Sequence, residues 1–137
     1  MKLGIVANST EVEANLRTLE PTYIFTRDRS YRCIPAKDFE RLIFDCWFIH
    51  DLPKYKSEIW DCDDFAICFM SAIKRRWAKV SRSSESLAFG YIESDVLVIG
   101  WHAYIWQIDE TGSINFYEPQ SGKRVNYRTD EVRLIET

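Results

Sequence analysis

One feature constrains this chain more than any other: the period of its apolar residues changes once, near residue 86. Before that point the apolar positions recur at helical spacing. Phe39, Leu42, Ile43 and Cys46 follow i, i+3, i+4, i+7 and predict a helix from Ala36 to about Ile49. Phe65, Ala66, Phe69, Ile73, Trp77 and Val80 predict a second and longer one, from Asp61 to about Lys79. After that point the pattern reads as strands: 87–92, 95–99, 101–108 and 114–117, then 125–127 and 132–135. Asp109-Glu110-Thr111-Gly112-Ser113 supplies a hairpin turn between the third and fourth of these. Helices first and strands second predict an α+β fold, with N-terminal helices packed on an antiparallel sheet.

The first third is plainer. Thr10-x-x-Glu13 resembles a capping box ahead of Val12, Leu16 and Leu19, and Pro21 stops that helix. Residues 22–36 read as extended or looped. With 137 residues, 46% of them hydrophobic and 15% aromatic, the chain has enough apolar surface for one core, and a single domain over 1–137 is expected.

Charge and composition exclude several classes. A net charge of -3 gives no footprint for nucleic acid. The basic run Lys74-Arg75-Arg76, with Lys79 and Arg82, suits a helix C-terminus. No apolar run reaches the ~18 residues of a membrane span, and the opening Leu3-Gly4-Ile5-Val6-Ala7 is too short for a signal peptide. The expectation is therefore cytoplasmic, including the cytoplasm of an infected host. Four scattered cysteines form neither a close metal pair nor a disulfide framework.

Cys62 stands apart from the other three. It opens the long helix, where free N–H groups and the dipole favour a thiolate, and Glu58, Asp61, Asp63 and Asp64 crowd it. Asp61 suits the N-cap, and Asp63 and Asp64 the first turn. A thiol nucleophile also needs a histidine, and the chain has two. His50 follows a helix in a loop. His102 lies in the strand Gly100-Trp101-His102-Ala103-Tyr104, within the sheet that the long helix must cover. A hairpin centred near residue 110 places Glu118 opposite His102, as the carboxylate that orients an imidazole.

Taken together, Cys62-Asp63-Asp64-Phe65-Ala66, His102-Ala103 and Phe116-Tyr117-Glu118-Pro119-Gln120 resemble the papain-like C-terminal domain of the Marasmius oreades agglutinin. The small bacterial and phage relatives of that agglutinin-related family share the likeness, which covers about residues 54–122. The resemblance implies a papain-like cysteine peptidase or transglutaminase-like fold and a calcium-assisted amide hydrolase acting on a peptide or protein substrate. Carried onto this chain, Cys62 is the nucleophile, His102 the general base and Glu118 its orienter. Gln120, with Trp60 and Trp101, would line the oxyanion and substrate side. The acid crowding disfavours a thiolate, and calcium among Asp61, Asp63 and Asp64 would relieve it.

An alternative keeps the scaffold without turnover: a non-catalytic binding or inhibitor protein, such as a phage anti-defence or virion-associated component. Trp47, Trp60, Trp101 and Trp106 would suit its partner surface.

Overall fold

The structure, a computed structural model, describes residues 4–46, 54, 61–96, 100–127 and 131–137. Its centre is one antiparallel hairpin. Strand β5 (Phe89–Val96) pairs with β6 (Gly100–Ile108) from Phe89 opposite Gln107 to Val96 opposite Gly100. Strand β7 (Ile114–Tyr117) extends the sheet and β8 (Arg124–Val125) closes one edge. On the other side β9 (Glu131–Glu136) pairs antiparallel with β5, and β2 (Tyr23–Phe25) adds to β9 in parallel. The order is β2-β9-β5-β6-β7-β8. A second sheet, β1-β3-β4, comprises β1 (Ile5–Asn8), β3 (Ser30–Cys33) and β4 (Ser86–Leu87).

The large sheet is apolar on both faces, which explains the nearly continuous apolar sequence of β6. Ala103, Ile105, Phe89 and Tyr117 join a core with α2 (Ala36–Phe44) and α3 (Cys62–Val80). Trp106, Ile108, Ile92 and Phe116 pack on the opposite face against α1 (Ser9–Leu16) and β3. Alternate residues of one strand thus serve two cores. Gly90 permits this arrangement at the edge of β9, because a Cβ there would stand 1.7 Å from the Glu136 carbonyl oxygen.

The α+β class holds, with five amendments. The large sheet is mixed rather than antiparallel, since β2 runs parallel to β9. The helices cover both faces, because Val12 and Leu16 of α1 bury with β3 and not with α2 and α3. Helix α1 starts at Asn8, whose side chain and Glu11 form the capping box, two residues ahead of the Thr10–Glu13 pair. Residues 89–92 and 95–96 belong to one strand, β5 from Phe89 to Val96, whereas residue 87 belongs to β4 and 97–99 lie outside the described residues. Helix α2 closes at Phe44 with Asp45 as C-cap, short of Ile49. Among the described residues no helix is long and apolar enough to cross a membrane.

Candidate functional site

Helix α3 opens as expected. Asp61 is its N-cap in an extended conformation, and the Asp61 N–H donates to Asp64 Oδ2 at 3.3 Å. Cys62 is therefore the first helical residue, half-buried, with its Sγ 4.0 Å from the Trp101 carbonyl oxygen. That contact lays the helix start against the first residues of β6, where His102 sits. His102 Nε2 meets Glu118 Oε2 at 2.9 Å, with 13% and 25% of the two side chains exposed.

The pair forms by a different register from the expected one. Ile105 faces Tyr117 in the β6–β7 ladder, so Glu118 falls level with Tyr104 and reaches His102 diagonally. Such offset neighbours lie within reach of a long side chain. Tyr104 fills the gap, its ring edge-on to the imidazole with centroids 4.5 Å apart. Glu118 is held from behind. Its Oε1 accepts the Gln120 N–H at 3.2 Å, and its carbonyl accepts from Gly122 N at 2.7 Å. Gly122 needs its left-handed φ of 66°, and a Cβ there would stand 2.6 Å from Ile43 Cγ2.

The electrostatics of His102 follow from this enclosure. Burial favours the neutral ring, but hydrogen bonds to Cys62 and Glu118, and their negative charge, overcome it. The imidazole pKa rises from 6.5 to about 9, so the ring is a cation at neutral pH. Cys62, His102 and Glu118 therefore form one connected group, with a positive charge held between the Cys62 sulfur and the Glu118 carboxylate.

The acids at the helix start are arranged less openly. A hydrogen bond with Asp61, then burial, holds the Asp63 carboxyl above the usual carboxylate range. Asp64 is committed to the Asp61 N–H. Two carboxyl groups converge, not three, and among the described residues no group of three His, Cys, Asp or Glu side chains is disposed to hold a metal ion.

Gln120 enters the site through its main chain, since its N–H grips Glu118 and its side chain is exposed. Trp101 is 50% exposed, with the Arg133 guanidinium 5.7 Å above its ring. Trp106, expected at a partner surface, is fully buried and donates its N–H to the Tyr91 carbonyl. Trp47, Glu58 and Trp60 lie outside the described residues. Two neighbours escaped sequence reasoning: Tyr104, and Glu93, whose carboxyl burial raises with help from Asp63. The period-2 rule signals Tyr104, two residues beyond His102 on one strand face. Glu93 lies beside the next strand residue, opposite Ala103, a register that only the folded hairpin provides.

Residues 31–124 match the family described as agglutinin C-terminal. No curated protein matches the chain in sequence. Among solved structures it is similar to PSL1a in a complex with E64, at 21% identity and a TM-score of 0.75, over 93% of this chain and 51% of that one. It is similar also to the Polyporus squamosus lectin bound to a human-type influenza-binding epitope, at 22% identity and a TM-score of 0.74, over 93% and 49%. The chain thus spans about half the length of these structures, and identities this low show the fold alone. Membership of the agglutinin C-terminal family corrects the expectation of a cysteine-dependent amide hydrolase, and with it the hydrolase and cysteine-protease descriptions. The non-catalytic alternative accords better with what the chain resembles. Its fold and the match over most of its length make this chain a member of the agglutinin C-terminal family.

Proposed function

We propose that this chain is a non-catalytic binding module whose ligand is a carbohydrate or a glycan-bearing protein. The observation that carries the reading is membership of the agglutinin C-terminal family over residues 31–124. Support comes from a fold neighbour, the Polyporus squamosus lectin bound to Neu5Aca2-6Galb1-4GlcNAc. The chain spans about half the length of that structure, so the glycan is part of the proposal. Its layout, with Cys62 at a helix start against a sheet bearing His102 and Glu118, supports a papain-like scaffold that binds without turnover. The small bacterial and phage relatives named by the resemblance would supply its biological setting.

The ligand-contacting centre in this reading is the Cys62, His102 and Glu118 group with Trp101 beside it. Sugars bind where an exposed aromatic face lies next to fixed hydrogen-bonding groups. Trp101 is half exposed, and the protonated His102 ring with the Glu118 carboxylate offers a donor and an acceptor. Calcium belongs to the same proposal, with Asp61, Asp63 and Asp64 as its site; the close approach of the Asp61 and Asp63 carboxyls supports it.

Calorimetry with the trisaccharide Neu5Aca2-6Galb1-4GlcNAc and a panel of neutral glycans tests the reading. The expected result is saturable binding of at least one glycan, weakened about tenfold or more by Trp101→Ala. The glycan should be recovered intact by mass spectrometry. Failure of every glycan to bind would overturn the carbohydrate, and steady cleavage of a peptide library would overturn the absence of turnover.

A further inference from the structure

We infer that the outer face of α3 carries a separate binding site for a small organic monocarboxylate with an apolar body. The site is an open depression of about 170 Å³ between the middle of the helix, Tyr91 of β5, the end of β9 and the turn after β2. Its helical side is Ile67, Met70, Ser71 and Lys74, which recur at i, i+3, i+4, i+7 and so form one stripe. This stripe lies beyond the first turn of α3 that holds Cys62. The inference stands independently of the proposed glycan site.

The charges across the depression are unevenly matched. Arg27 and Glu136 form an ion pair, and the Tyr91 hydroxyl donates to Glu136 Oε2 at 3.1 Å. One cation and one hydroxyl therefore already engage that carboxylate. Lys74 is left over: among the described residues it has no ion pair or hydrogen bond. Asp28 attracts its ammonium from a distance and Arg27 repels it. The residue is exposed, yet protein surrounds the ammonium closely enough that burial is the main cause pulling its pKa below the ordinary lysine value. An ammonium at the wall of a depression, without an ion pair or hydrogen bond of its own among the described residues, is a place where an anion can bind.

The apolar side of the depression specifies the rest of the ligand. Met70 is buried and forms its floor, whereas Ile67 is 49% exposed on its rim. Mid-helix, a half-exposed isoleucine beside a buried methionine gives an apolar body a surface to cover. Ser71 is also exposed and adds a hydroxyl beside the ammonium. The single unmatched positive charge favours a monoanion, because a dianion such as a phosphate ester would place its second charge against Glu136 and Asp28.

Benzoate is the probe and benzamide its neutral counterpart, followed through the amide resonances of the isotope-labelled full chain. Benzoate should shift Ile67, Ser71, Lys74 and Tyr91 saturably, and benzamide should bind about tenfold more weakly or worse. Lys74→Met should abolish the benzoate shifts, Lys74→Arg should retain them, and Ser71→Ala should weaken them. Both positions are on the surface, so these variants are expected to fold. The inference is overturned if benzoate causes no shifts at millimolar concentration, or if benzamide matches it. Unchanged binding to Lys74→Met would also overturn it. Inorganic phosphate displacing benzoate at equal concentration would replace the monocarboxylate with a charge-only surface. Failure of glycan binding at Cys62 leaves each of these readouts intact.

Discussion

The two ends of the β6–β7 hairpin each carry a carboxylate, and the surroundings treat them differently. At the turn, Asp109 Oδ1 accepts from Thr111 N at 2.9 Å, Thr111 Oγ1 at 2.6 Å and Ser113 N at 3.0 Å, while Oδ2 accepts from Asn115 Nδ2 at 3.1 Å. Burial works against this charge, and the hydrogen bonds more than offset it, holding the carboxyl below its ordinary value. Its donors all come from residues within its own hairpin. At the open end, Glu118 has one local backbone donor and the His102 ring, and that ring also hydrogen-bonds Cys62. Asp109 completes a loop, whereas Glu118 holds a cation that faces a thiol. A carboxylate whose partners lie in its own turn is structural. One whose partner is another titratable side chain is a candidate for function.

The largest effect that separates the two ends is pH dependence. His102 has a folded pKa of about 9, above its ordinary 6.5. The stabilisation from this raised pKa is fully present below about 6.5 and is lost as pH rises through about 9. The span corresponds to roughly 3 kcal/mol as an upper bound. Glu118→Gln should bring the His102 pKa down by one or more units and shrink that dependence. The imidazole proton resonances are easily followed, because the chain has only two histidines. If the His102 titration is unmoved in Glu118→Gln, the two ends of the hairpin do not differ as described.

The turn should answer in the opposite manner. Asp109→Ala removes the acceptor of four hydrogen bonds and should cost about 2 kcal/mol in urea unfolding, with the His102 titration unchanged. A His102 shift in that variant would mean the ends are coupled through β6. A loss near zero would mean water replaces the carboxylate without penalty.

How much of this was legible depends on how local the causes are. Cys62 at the start of α3 was legible, because an N-cap aspartate and an apolar stripe are both read within a few residues. The partnership of His102 with Glu118 was legible too, since a short turn brings nearby strands together. Its register was not. The five residues from Asp109 to Ser113, with Gly112 at a φ of 83°, centre the hairpin near residue 111 rather than 110. Glu118 is then diagonal to His102 instead of opposite. Strands β1 and β2 were hidden because their partners are distant. Ile5 faces Cys33, and Tyr23 faces Leu134, and no local pattern encodes such pairings. The use of the site was the least legible of all. Cysteine, histidine and glutamate at this spacing specify a geometry, and the same geometry serves a binding protein as well as a hydrolase.

A third carboxylate region sharpens the comparison by the smallest effect. Asp61 and Asp63 share a hydrogen bond between their carboxyl groups, so neither the self-contained pattern of Asp109 nor the cation-holding pattern of Glu118 applies to them. Two ionised acids in contact repel each other, and a hard cation between them would relieve that repulsion. Calcium at about ten times its dissociation constant should then stabilise the fold by about 1.4 kcal/mol, a shift of several degrees in Tm for a domain of this size. Magnesium, which is smaller and gives up its water reluctantly, should do less. Asp63→Asn removes one of the two carboxylates and should abolish the calcium response while sparing the His102 titration. An equal Tm with and without calcium would remove the cation and leave the pair as a hydrogen-bonded contact at a helix start. In that case the positive charge of His102 would be the only feature offsetting the acids around Cys62.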